Sequence, residues 1–294
     1  MSNNIGMPFL DKGILQIGLS YDYNNLNTLN EGSKKLKDNS RLRTTNSVLL
    51  NLSYNFSQKF LIEALLTWVN QSREITSSFG DINVDETFGI GDGILLLRYM
   101  VLNNEVSSLT LGLGKKIPLG STAKRNNQGI LLNADLQPGS NAFDLVFTSR
   151  YSRSFNFRKS MNFSLRGTYR NTGVNNSYLG NNKYEFGNEL QLYLGVSDSY
   201  LLWKQLISPS ITFKYRKAGI DRINSNSIAN TGGEWLFFNP SILFFIKPTI
   251  SFYLKSEIPF YSNVKGTQLT PTYRFNTGIV FQVLNKKKNH NLIN

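Results

Sequence analysis

Glu185 and Glu189 lie four residues apart, and paired carboxylates within reach of one another are the first groups in this chain that could do acid/base chemistry. On an extended strand they share a face, where such carboxylates more often serve as ion-paired filling. The sole histidine, His290, lies in the tail after the last predicted strand, which removes a Ser-His triad, a barrel phospholipase of Ser-His-Asn type and any histidine-rich metal site. There is no cysteine, so neither a disulfide framework nor a thiolate metal site exists. Gly112, Gly114 and Gly120 form no phosphate loop, because GxxxxGK[ST] is absent and no helix follows. The inventory predicts no enzyme, no cofactor and no metal.

The charges that remain are read best from the strands that would carry them. In GILQIGLSYDY (residues 13–23), Leu15, Ile17, Leu19, Tyr21 and Tyr23 share one face and Gln16, Gly18, Ser20 and Asp22 the other. The same two-faced pattern recurs about twelve times, for example in Ser47 to Phe56, Phe60 to Val69, and the segments carrying Leu109 to Leu113, Phe143 to Tyr151, Met161 to Tyr169, Phe186 to Leu194, Ile211 to Tyr215, Ile250 to Ile258 and Tyr273 to Phe281. The segment from Glu234 to Ile246 is apolar on both sides, and its register stays open. No stretch of useful length has a helical period, and the longest apolar runs fall far short of the roughly 20 residues of a membrane helix.

Connections alternate between lengthy (24–46, 70–87, 118–141, 171–183, 217–233, 261–271) and brief (57–59, about 103–104, 152–159, 197–206, 247–248). Apolar-face aromatics collect at strand ends, with Tyr21, Tyr23, Trp68, Tyr169, Tyr184, Tyr215, Phe260 and Tyr273 near the long loops and Tyr54, Phe56, Phe60, Tyr99, Tyr151 and Phe281 near the short turns. Even strand number, alternating loop length and two aromatic girdles predict an all-β fold: a transmembrane antiparallel up-and-down β-barrel of about 12 strands, with short periplasmic turns and long extracellular loops. Its oily face meets lipid. The mean hydropathy of −0.26 suits such a barrel, whose two faces cancel. The expected organisation is an N-terminal periplasmic segment (1–12), one barrel (13–284) and a basic periplasmic tail (285–294). The opening residues show neither a basic n-region nor an apolar h-region, so the predicted bacterial outer-membrane location goes with a signal peptide absent from this sequence.

The polar faces then define a lumen. Its predicted charged lining is Glu63, Asp92, Asp144, Glu185, Glu189 and Glu257 against Arg98, Lys116, Arg150, Arg166, Arg170, Lys214, Arg216, Lys255 and Arg274, a mild basic excess that would set selectivity. Twelve strands give a backbone cylinder about 24 Å across, narrowed by inward side chains. The net charge of +13 is scattered through loops and polar faces, which excludes nucleic acid as a partner. Lys34, Lys35, Lys37, Arg41 and Arg43 in the first long loop could recognise a substrate or a partner, but suit lipopolysaccharide phosphates better.

The stretches GIGDGILLLRY (89–99), LGLGKKIPLG (111–120) and LNADLQPGS (132–140), with LSYDYNNL and RLRTTNSVLLNLSYNF, resemble outer-membrane barrels of the MetA-pathway phenol-degradation transporter family. The resemblance implies an exported barrel passing small hydrophobic or aromatic compounds, with Asp92, the glycines and Arg98 as lumen or turn features. The leading expectation is a passive pore for small solutes, aromatic or weakly anionic. The alternative is a non-conducting accessory barrel bound to other subunits of an outer-membrane assembly, suggested by Phe237, Phe238, Leu243, Phe244 and Phe245.

Overall fold

A computed structural model describes residues 6–283. Twelve strands form the wall: β1 (Leu15–Glu31), β2 (Arg41–Asn55), β3 (Phe60–Thr76), β4 (Gly93–Asn103), β5 (Ser107–Ile117), β6 (Asp144–Phe155), β7 (Arg158–Asn171), β8 (Glu189–Ser197), β9 (Gln205–Ala218), β10 (Gly233–Lys247), β11 (Ile250–Val264) and β12 (Thr267–Val283). Each pairs antiparallel with its neighbours in sequence, and β1 closes on β12 from Leu15↔Val283 to Glu31↔Thr267. The result is a closed up-and-down transmembrane β-barrel. Closure satisfies the backbone donors and acceptors that an open sheet would leave bare in hydrocarbon.

The accessibility pattern is inverted relative to a soluble protein. Along β6, Leu145 and Phe147 are 45% and 44% exposed, whereas Asp144 between Phe143 and Leu145 is 2% exposed. Leu19, Leu66, Leu97, Leu113, Leu194 and Phe213 repeat the outward pattern, and Gln16, Asn55, Glu63 and Gln191 the inward one. Outward leucines and inward amides and carboxylates are the arrangement of a lipid-facing wall around a polar lumen.

Several loops contain more strand than expected. The segment 261–271 is no loop, because β11 and β12 run on to a turn at 265–266 where Gly266 takes φ +72°. Of 24–46 only residues 32–40 leave the barrel strands, and β3 continues to Thr76 to pair with a further strand, Ile82–Ile90. In β1 and β2 these extensions are rich in Asn, Thr and Arg, which blurs the period-two signal, whereas Ile82, Val84, Phe88 and Ile90 keep it. Four short strands, Val174–Tyr178, Asn182–Glu185, Arg222–Ile223 and Asn226–Ser227, form a separate antiparallel sheet within the connections flanking β8 and β9. Phe186 and Glu185 therefore precede β8 instead of belonging to it.

Two segments enter the lumen. The β5–β6 connection (118–143) folds inward and buries Leu132, Leu136 and Ala142. It is held by Thr87 Oγ1 and Gln71 Nε2, which donate to the Leu136 carbonyl at 2.6 and 3.2 Å, and by Arg43 against Asp135 at 2.5 Å. Gly120 and Gly139 pass back to back: a Cβ on Gly139 would lie 2.2 Å from the Gly120 carbonyl oxygen. The segment before β1 was expected in the periplasm, but residues 6–10 lie inside the barrel. The Gly6 N–H donates to Glu63 at 2.9 Å and Gln16 Nε2 donates to the Pro8 carbonyl at 2.8 Å. Residues 285–294, with His290, lie outside the described residues.

The wall of β2, β3 and β4 adds an unforeseen apolar patch on the lumen side, built from Leu49, Leu65, Ile94 and Leu96. In β10 the register resolves the two-sided hydrophobicity. Trp235, Phe237 and Asn239 are buried, whereas Phe238 packs outward with its ring tilted 5.7 Å from Phe213, and Phe244 likewise 6.3 Å from Phe252.

Candidate functional site

Residues directly opposite in an antiparallel pair share a face, so register partners on successive strands form rows across the lumen. One row, starting at the short-turn end of β6, reads Ser154, Asn162, Ser197, Ser210, Ser241, Lys255 and Asn276, and reaches Asp22 on β1. The next row reads Ser108, Ser152, Ser164, Gly195, Thr212 and Asn239, and the one after it Thr110, Arg150, Arg166, Tyr193, Lys214 and Phe237. Beyond it come Thr148, Thr168, Gln191, Arg216 and Trp235. A hydroxyl row thus borders a cationic one.

Most predicted charges meet partners. Lys116 sits between Asp92 and Asp144 at 3.2 and 2.9 Å, and Arg170 reaches Asp144 at 3.8 Å and Glu189 at 3.5 Å. Arg216 joins Glu189 at 3.1 Å, Lys214 joins Glu257 at 2.9 Å, and Arg98 joins Glu63 at 3.6 Å. Asp92 also accepts from Ser140 Oγ at 2.6 Å and from the Gly120 and Ser140 N–H groups at 3.3 and 3.1 Å, tying the inward loop to the wall. Removing one member of such a buried pair leaves an uncompensated charge, so these contacts fix geometry more than they add net stability.

Arg150 and Lys255 stand apart. Arg150 and Arg166 are direct cross-strand partners, an arrangement of like charges that a sheet ordinarily avoids. Arg150 donates to the Gly6 carbonyl at 3.3 Å, and the Arg166 guanidinium lies 3.8 Å from the centre of the Tyr193 ring. Among the described residues, no carboxylate lies within ion-pair distance of Lys255 or Arg150. Both line a cavity of about 470 Å³ with Asn162, Tyr253 and serines of β6 to β10, and no aspartate or glutamate belongs to its lining. A second cavity of about 720 Å³ lies against the N-terminal segment, bordered by Phe9, Asp11, Arg98, Arg150 and Gln282. Arg98 also donates to the Met7 carbonyl and stacks 5.2 Å from the Phe9 ring centre.

The predicted lining is therefore brought together except for Glu185, which lies in the small sheet outside the wall; the Glu185/Glu189 pair does not form one lumen site. Sequence reasoning missed Asp22, which holds Arg274 at 2.8 Å, although its place on the wet face of the first strand was legible. It missed Tyr193, although alternation from Glu189 and Gln191 puts this ring on the wet face. It also missed Ser140, Asp135 and the N-terminal segment, whose partners are remote in sequence.

The closed barrel, apolar outside and charged inside, has the fold of a bacterial outer-membrane β-barrel. No family model matches the sequence, and no curated protein matches it. By structure it is similar to the COG4313 outer membrane channel from Pseudomonas putida F1, with TM-score 0.72 and 14% identity over 93% of this chain and 97% of that one. It is also similar to the β domain of the Bordetella autotransporter Brka, with TM-score 0.53 and 10% identity over 92% of this chain and all of that one. At these identities the likeness is one of fold.

Proposed function

We propose that this chain is a passive channel of the bacterial outer membrane for small solutes, with a preference for anions. The observation that carries this reading is the acid-free cavity beside Arg150 and Lys255, which leaves cationic side chains facing space in place of carboxylates. Channels select by the charge lining their narrow parts, so the basic excess translates into faster passage of anions. The structural likeness to a protein described as an outer membrane channel supports the reading. At the long-loop end, exposed Lys34 and Lys35 suit lipopolysaccharide phosphates, whereas Arg43 is engaged inward by Asp135.

The test is current through the purified barrel in a planar bilayer bathed in asymmetric potassium chloride. A reversal potential favouring chloride is expected, moving toward zero in Lys255→Met and Arg150→Met. A cation-preferring current would refute the assignment.

The accessory-barrel reading keeps one specific support: Trp235, Phe237 and the N-terminal segment all occupy lumen space. Removing residues 1–12 separates the two readings. A channel gains conductance several-fold when the segment that bridges Glu63, Arg98 and Arg150 is deleted, whereas a non-conducting scaffold stays silent and copurifies with other subunits.

A further inference from the structure

We propose that the cavity beside Arg150 and Lys255 is a binding site for a small hydroxylated carboxylate, of the polyhydroxy-acid kind, in preference to an aromatic acid. This rests on the channel reading above and names the solute class for the same lumen. Arg150 and Lys255 supply the charge-assisted donors that a carboxylate takes, and nothing acidic in the lining competes for them.

The rest of the lining decides what is attached to the carboxylate. Ser210 and Ser241 lie 2.6 Å apart by their Oγ atoms, and Ser199 and Ser208 2.7 Å apart, all facing the same cavity. A hydroxyl has one donor and two acceptor positions, so each of these pairs satisfies one bond and keeps capacity for more. Tyr253 is the single ring among the lining residues, which gives an aromatic body little to stack on. The cavity, about 470 Å³, falls in the range of small-molecule sites of about 300–1,000 Å³.

Unmet hydrogen-bonding capacity in the wall points the same way. Asn162 lines the cavity with its Oδ1 buried and unpartnered. A buried amide without partners carries a desolvation cost that a ligand hydroxyl, directly or through a water, would offset. Asn162 in the lining then discriminates against a solute that cannot hydrogen-bond to it.

The probes are gluconate and benzoate, added to the barrel while it carries chloride current. Gluconate is expected to reach half-block at a concentration at least about tenfold below benzoate, the size of one well-placed hydrogen bond. The double variant Ser210→Ala with Ser241→Ala should erase that advantage. Equal block by the two acids, or an alanine variant that keeps the gluconate advantage, overturns the hydroxy-acid site and leaves the anion channel standing. Titration calorimetry of the detergent-solubilised barrel reads the same site without current: gluconate heat that disappears in the serine variant supports it, and absence of gluconate heat in the parent protein refutes it. Heat-modifiable gel migration of the variant verifies that the barrel is folded.

Discussion

Toward the long loops the lumen is packed with matched charges, Lys116 between Asp92 and Asp144 and Glu189 between Arg170 and Arg216, with the 118–143 connection laid against them. Toward the short turns, Lys255 and Arg150 face a cavity edged by serines. Both regions descend from the same polar strand face, so the difference lies in what the third dimension adds: a loop that folds in and brings Ser140 to Asp92, against turns too short to fold anywhere. Opposite charges that meet make a rigid filling. Cations left facing space make a place for a solute.

The largest effect that would test this contrast is a substitution at each kind of lysine. Lys116→Met removes the cation that Asp92 and Asp144 share and should cost about 3–5 kcal/mol of stability, read as a shift in the urea unfolding midpoint in lipid vesicles. Lys255→Met strands nothing and should shift that midpoint by less than about 1 kcal/mol. Comparable losses in both would erase the distinction between packed and open halves.

A smaller effect addresses the loop itself. Gly139→Val places a side chain against the Gly120 backbone, an overpacking of about 1–3 kcal/mol that the loop can relieve only by leaving the wall. Conductance should rise as the loop moves out; unchanged current would mean that the loop does not narrow the path.

The smallest expected effects are pH responses of opposite sign at the two ends. In the β8–β9 turn, burial would raise the Asp198 carboxyl, but hydrogen bonds from Ser160, Tyr200, Arg158 and the Ser199 N–H outweigh it and bring it to about 2. That depressed value stabilises the turn above the ordinary 3.8, and the contribution is lost as pH falls toward about 2. In the long-loop connections, burial raises Asp221, although Gly187 and Tyr184 donate to it at 2.8 and 2.7 Å. An acid raised in the folded state binds its proton more tightly there, so the small sheet gains stability as pH falls from that raised value toward 3.8. Amide hydrogen exchange at Ser199 and Gly187 across an acid titration should accelerate at the first and slow at the second; movement in the same direction would contradict both environments.

How far the sequence reached depends on where its period stays clean. Leu15, Ile17 and Leu19 read correctly as one face because β1 is regular there, and shifts in its pairing with β12 at Asn25 and Leu26 precede Leu29, which ends buried at 5% exposure. Phe186, Leu190 and Leu192 continue the alternation and put Glu185 on a wall strand, yet residues 186–188 leave the strand and end that register before β8 begins.

The alternation of oily and wet residues, with even strand number and two girdles, by itself determined a membrane barrel with a polar interior, because period two is a property of the chain and needs no knowledge of its neighbours. Which wet residues meet was decided only by tertiary structure. Arg150 faces Arg166, Lys116 is shared by two aspartates, and Gly6 reaches Glu63 across 57 positions of sequence. Such meetings depend on strand stagger, barrel closure and loop return, which are set by contacts between distant segments rather than by any local pattern.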